Sequence, residues 1–192
     1  MRRVRRKQGI SLVALFIALI IALGQHYGWF DSVQKGAVTS QPGLYTISRY
    51  VDGDTISVDM NGTPETIRFI GIDTPETHKP NTPVQCYGPA AAAYTKNRIT
   101  ASGGKVRLVS DSLSTNRDRY NRLLRYVYLT DGTDLDQELV AKGYAFAYVS
   151  FPFTKSKDFS AAQQNAQTQK LGLWGNCTPV QESNGRWQSN NQ

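Results

Sequence analysis

Three carboxylates and two guanidinium groups stand among short apolar runs in a pattern that could do chemistry. Asp54 lies in Val51-Asp52-Gly53-Asp54-Thr55, Arg68 in Ile67-Arg68-Phe69-Ile70, Asp73 and Glu76 in Ile72-Asp73-Thr74-Pro75-Glu76-Thr77, and Arg122 in Asp118-Arg119-Tyr120-Asn121-Arg122. Cleavage of a phosphodiester requires an activated water, charge neutralisation on a pentavalent transition state and help for the leaving oxygen. Carboxylates can hold a hard cation and orient water, while the planar fork of arginine binds phosphoryl oxygens through two bonds at once. An all-oxygen donor set suits Ca²⁺ better than zinc, which prefers the histidine or cysteine clusters this chain lacks. The histidines are His26, in an apolar N-terminal segment, and His78, in a polar loop, so histidine-based chemistry has no support. Taken singly, each residue has a bland reading. Asp52 and Asp54 shape a turn, Asp73 to Glu76 cap a segment, and Arg68 sits on a solvated strand face. Only the ordered set argues for a site.

Alternation of apolar and polar residues marks the elements that must position these groups. Leu44 to Ile47, Thr55 to Met60 and Thr66 to Ile70 read as strands with one buried face, the last two joined by an Asn61-Gly62 turn. Pro89 suits the first turn of a helix that runs through Ala90 to Ala93 toward Ile99, and Gly103-Gly104 stops it. Val106 to Val109 and Leu123 to Leu129 supply two further strands, followed by a short helix bearing Leu135, Leu139 and Val140 and a last helix from about Asp158 to Leu171. The pattern alone gives an α+β fold. Residues 178–192 are rich in Gln, Asn and Ser and read as a disordered tail.

A chain of 192 residues with 40% hydrophobic content can bury one ordinary core. The formal net charge of +7 is mostly a topology signal, because Arg2, Arg3, Arg5, Arg6 and Lys7 precede the first acid, Asp31. An apolar run from Ile10 to Leu23 follows, then Trp29 and Phe30. The basic cluster places the N-terminus in the cytoplasm and the rest outside. Two readings of residues 1–30 stand open: an N-terminal hydrophobic helix retained as a membrane anchor over residues 10–30, or a signal peptide cleaved near Gly24 with a secreted product. Residues 31–43 read as a linker. The only cysteines are Cys86 and Cys177, and an exported compartment permits them to pair; two unrelated thiols are the alternative.

In order and in type, the Asp54, Arg68, Asp73-Thr74-Pro75-Glu76 and Arg122 segments, with Tyr87-Gly88-Pro89 between them, resemble the thermonuclease (staphylococcal nuclease) family over roughly Leu44 to Trp174. The resemblance implies a five-stranded OB-fold barrel with about three helices in a domain spanning 44–177. It implies a Ca²⁺-dependent endonuclease acting on DNA and RNA at the 5′ P–O bond, leaving 3′-phosphate ends. It assigns metal ligation to Asp54, Asp73 and the Thr74 carbonyl, water activation to Glu76, and phosphoryl binding to Arg68 and Arg122. Tyr120, Arg119 and Tyr148 would contact substrate, the last by stacking on a base, although a core or rim tyrosine is an equal reading of Tyr148. Asn121 stands where the family commonly has Gly. The domain is expected to be monomeric. Two other functions remain open: an inactive barrel that binds nucleic acid or protein at the membrane surface, and a displayed structural module whose acids hold a stabilising Ca²⁺.

Overall fold

The computed structural model describes residues 43–77 and 83–191. The N-terminal segment, all of the linker except Gly43, and both histidines lie outside these residues. Among the described residues no helix is long and apolar enough to cross a membrane.

Five strands close into a barrel: β1 (Leu44–Asp52), β2 (Thr55–Met60), β3 (Thr63–Phe69), β5 (Lys105–Val109) and β6 (Leu123–Tyr128), in the spatial order β1-β2-β3-β6-β5. The period-two pattern explains the core. Ile56 and Val58 of β2, Ile67 and Phe69 of β3, Val106 and Leu108 of β5 and Val127 of β6 are all buried together. β1 serves two neighbours, pairing Leu44 to Thr46 with β5 and Ile47 to Asp52 with β2. Register shifts between Ile47 and Arg49 and between Tyr50 and Asp52 bend it through the corner, which is how bulges close a barrel. Asn61 and Gly62 both take positive φ, 56° and 84°, as a two-residue hairpin turn demands.

The last seam is parallel: Ile67, Arg68 and Phe69 pair with Leu123, Leu124 and Arg125. A parallel pair needs a long crossover. Here it carries a two-residue strand β4 (Ile72–Asp73), helix α1 (Gly88–Ala101) and β5. Beyond β6 come α2 (Leu135–Ala141), β7 (Phe146–Ala147), α3 (Ser156–Thr168) and a single turn, α4 (Leu173–Asn176). The Asp134 side chain caps α2 by accepting from the Gln137 amide at 3.1 Å. Glu138 of α2 takes two bonds from Arg98 of α1, at 2.7 and 3.1 Å, locking the helices together. β4 pairs antiparallel with β7, Ile72 with Ala147 and Asp73 with Phe146, outside the barrel wall.

The structure departs from the composition in the C-terminal segment. Instead of a disordered tail, residues through Asn191 include a two-stranded hairpin, β8 (Val180–Gln181) and β9 (Trp187–Gln188). Gly185 turns it at φ 82° and Trp187 packs edge-on against Trp174, ring centroids 5.0 Å apart. A low-hydrophobicity segment remains unfolded only if it has nothing to bury, and this one has Trp187. Cys86 and Cys177 are bonded, S–S 2.00 Å, tying the end of α4 to the residues that precede α1.

Candidate active site

The Asp52-Gly53-Asp54 turn between β1 and β2 is held from three sides. The Asp52 carboxylate accepts from the Gly53 amide at 2.8 Å and from the Thr77 hydroxyl at 2.9 Å, and the Gly53 carbonyl accepts from Thr95 of α1 at 2.6 Å. Gly53 allows close approach, because a Cβ there would lie 2.9 Å from the Thr74 side chain. Thr74 in turn donates its amide (2.7 Å) and hydroxyl (3.0 Å) to Asp54 Oδ2, while Thr55 donates to Oδ1 at 2.9 Å. Asp54 is thereby buried with its rotamer fixed.

Arg68 projects from β3 between two acids. Its Nη1 lies 2.9 Å from Asp54 Oδ2, and its Nη2 lies 2.9 Å from Asp73 Oδ1. The Nη1 contact is an ion pair without hydrogen-bond alignment, so this buried nitrogen keeps unused donor capacity. Three carboxylates, Asp52, Asp54 and Asp73, share this one buried guanidinium. Burial, then the charge of Asp54, pushes Asp52 up to about 6. Burial likewise raises Asp73, and Asp54 adds to the effect, with Arg68 only partly offsetting it. Burial alone would lower the pKa of Arg68, but Asp54 and Asp73 hold it above its ordinary value, so the guanidinium stays charged. The pocket is locally over-supplied with negative charge.

Glu76 follows Pro75 on a loop whose backbone is clamped by Gln85. The Glu76 amide donates to Gln85 Oε1 at 2.8 Å, and the Gln85 amide donates to the Glu76 carbonyl at 2.9 Å. Glu76 Oε1 accepts from the Thr77 amide at 3.1 Å. The disulfide lies next to Gln85, so the position of this loop depends on the Cys86 anchor.

Arg122 stands apart from the carboxylate cluster. Its guanidinium pairs with Asp118 Oδ2, Nη2 at 2.6 Å and Nε at 2.7 Å, within the turn that leads into β6. The parallel register sets Leu124 beside Arg68, so Arg122 enters β6 at the same end of the seam. Asn121 takes φ 65° in this turn, a conformation Asn tolerates better than most residues. Tyr120 is 65% exposed, with the Arg119 and Arg122 guanidinium carbons 4.8 and 5.4 Å from its ring centroid. Tyr148, one residue past β7, donates its amide to the Gly71 carbonyl at 2.7 Å and packs against Phe151. The structure thus gathers Asp54, Arg68, Asp73 and Thr74, sets Glu76 on the adjoining loop and Tyr148 just past the strand paired with Asp73, and puts Arg119, Tyr120 and Arg122 on a neighbouring turn.

Two groups were missed in the sequence. Asp52 reads as a turn residue, and indeed shapes its turn, but it is also the third acid of the cluster. Arg186 reads as part of a disordered tail, yet it binds Asp73 Oδ2 through Nη2 at 2.8 Å and Nε at 3.2 Å. The hairpin signal Asn184-Gly185 before Trp187 could have found it. A cavity of about 170 Å³ lies among Asp73, Glu76, Gln85, Phe146, Arg186 and Trp187. A larger open hollow, about 670 Å³, runs along Phe151, Pro152, Lys157 and Ser160 and contains no acid. Of the two, the smaller one holds the acids Asp73 and Glu76.

Among the described residues no three acidic, histidine or cysteine side chains form a ready-made metal cage. The site nevertheless fits a hard divalent cation: its donors are all oxygen, and a cation would relieve the negative excess around Arg68. The expected ligands Asp54, Asp73 and Thr74 lie together, with Thr74 donating to Asp54 and Arg68 set between the two acids.

Comparison with known proteins identifies the family. The staphylococcal nuclease homologue family matches residues 66–176. The chain is 36% identical over 170 residues to the thermonuclease of Staphylococcus intermedius, covering 88% of this chain and 98% of that one. It is 41% identical over 169 residues to the thermonuclease of Staphylococcus hyicus, covering 87% and 95%. It is also 44% identical over 131 residues to the endonuclease YncB of Bacillus subtilis, covering 67% and 60%. With a closed five-stranded barrel and a match over more than half its length, the chain belongs to the staphylococcal nuclease family.

Proposed function

We propose that the chain is a Ca²⁺-assisted endonuclease that hydrolyses phosphodiester bonds of DNA and RNA at the 5′ P–O bond, leaving 3′-phosphate ends. The observation that carries this reading is the buried Arg68, gripped by Asp54 and Asp73 with one nitrogen free of any hydrogen bond. A guanidinium held this way is a positive charge fixed beside the carboxylates before substrate arrives, which is where preorganised electrostatics has most effect. The names of the thermonuclease and endonuclease relatives support nucleic acid as the substrate.

Bound Ca²⁺ would supply Lewis-acid charge at the phosphate. Glu76, clamped through its backbone, orients the attacking water and accepts its proton. Arg68 and Arg122 hold the phosphoryl oxygens as negative charge grows in the transition state, Arg122 exchanging its Asp118 partner for substrate. Tyr120 and Arg119 form an exposed platform for the strand. In this reading the domain acts as a monomer outside the cytoplasm, either anchored through residues 10–30 or released by cleavage near Gly24.

The test is cleavage of single-stranded DNA by the purified full-length chain in Ca²⁺ and in chelator. Cleavage in Ca²⁺ alone is expected, with kcat falling at least 100-fold in folded Glu76→Gln or Arg122→Ala, about 3 kcal/mol of barrier. Full activity in either variant would sink the assigned mechanism. Tight DNA binding without turnover would instead favour an inactive binding module.

A further inference from the structure

The C-terminal hairpin is seated firmly enough to present a side chain. The Cys86 amide donates to the Asn190 carbonyl at 2.7 Å, the Ser189 hydroxyl donates to the Cys86 carbonyl at 2.9 Å, and the Thr178 amide donates to Asn190 Oδ1 at 2.8 Å. Trp187 packs on Trp174, and the disulfide fixes the base. From this support Arg186 reaches past the Tyr148 ring, 5.7 Å from its centroid, to Asp73. Both oxygens of Asp73 therefore carry a guanidinium: Arg68 on Oδ1, Arg186 on Oδ2.

The two arginines are not equivalent. The Arg68 side chain is 12% exposed between Asp54 and Asp73, whereas that of Arg186 is 50% exposed and borders the cavity. An exposed ion pair contributes about 0–1 kcal/mol, so Arg186 adds little to a hairpin already held by Trp187, Ser189 and Asn190. Its bonds to Asp73 use Nε and Nη2, which leaves Nη1 for another acceptor. Glu182, the other charged hairpin residue at the cavity, is engaged by the Asn184 amide group at 3.1 Å.

We propose that Arg186 is a third phosphate-binding arginine of this site: supplied by the C-terminal hairpin, it holds a non-scissile phosphate of the nucleic-acid strand beside Tyr148. This rests on the nuclease reading above. Arg186 sits at the rim, where it meets a polyanion before the barrel residues do, and its planar fork can hold Asp73 and a phosphate on different edges.

The experiment uses the full-length Glu76→Gln chain, so that substrate is not consumed, with a fluorescein-labelled single-stranded oligonucleotide at fixed Ca²⁺ over a salt series. Adding Arg186→Ala is expected to weaken binding about tenfold and to make the log–log salt slope shallower by about 0.7, the value for one lost phosphate contact on a single strand. Arg186→Lys, which keeps the charge, should restore the slope. Unchanged affinity and slope in Arg186→Ala overturn the assignment, as does a slope that lysine does not restore. Wild-type cleavage is measured on the same DNA. No cleavage there overturns the nuclease reading itself, whereas cleavage alongside an indifferent Arg186→Ala overturns only the role given to Arg186.

Discussion

Replacing Cys86 and Cys177 together by Ala tests how much of the fold's stability comes from one crosslink. The bonded residues are 91 positions apart, so the bridge closes most of the domain into a single loop. In the loop-closure picture a crosslink of that span removes about 15 cal/mol/K of entropy from the denatured chain, or about 4.6 kcal/mol at 25 °C. For a chain of this size each kcal/mol moves the midpoint by about 2–4 °C, so Tm should fall by about 9–18 °C. Urea unfolding of both proteins, followed by far-ultraviolet circular dichroism, measures the difference directly. The m value should rise in the double variant, because an uncrosslinked denatured chain exposes more surface. A loss below about 1.5 kcal/mol with an unchanged m value would refute the reasoning and show that the denatured chain is compact without the bond.

Two further substitutions probe the frame around the site. The Asp111 carboxylate accepts five hydrogen bonds, from the Leu113 and Ser114 amides and from Tyr126, the Thr154 amide and the Thr154 hydroxyl. Burial alone would raise its pKa, but these donors, Thr154 foremost, hold it below the usual value. In Asp111→Asn at least two donors must face the new NH₂ group, so thermal unfolding at pH 7 should show a loss of about 2–4 kcal/mol. Because the folded pKa is depressed, this stabilisation is present above pH about 4 and lost as pH falls through the folded value, so the deficit should narrow in acid; a constant deficit from pH 7 to 3 would contradict it. Gly71 has φ 72°, and a Cβ there would lie 2.4 Å from the Phe153 ring. Gly71→Ala should cost about 2–5 kcal/mol from left-handed strain plus overpacking, and should lower activity by shifting Asp73 two residues on; a change under 1 kcal/mol in urea would show that Phe153 yields freely.

How far the residues alone could be read depends on the range of the interaction. Ile56, Val58, Ile67 and Phe69 announce their strands by alternation, and Asn61-Gly62 and Gly103-Gly104 announce turns, because each signal is local. β4 and β7 are two residues each and carry no period. Apart from Trp187 and the exposed Val180 the hairpin is polar, so composition hides it even though Asn184-Gly185 marks its turn. The second role of Asp52 is invisible for another reason: a turn acid and a buried cluster acid look the same until the turn is packed against Thr77 and α1. The pairing of Arg186 with Asp73 spans 113 residues and exists only once the disulfide, Trp174 and the loop before α1 have set the hairpin in place.

The parallel seam between β3 and β6 has a consequence for when the molecule can act. Arg68 lies on one side of that seam, and Arg122 leads into the other. The two come to the same edge only after the intervening crossover has folded and the barrel has closed. Such long-range pairing forms late, since chain entropy must be lost before the contacts form. A nascent or partly folded chain therefore carries all of the site's residues without a site. On the proposed reading, competence waits on closure of that seam.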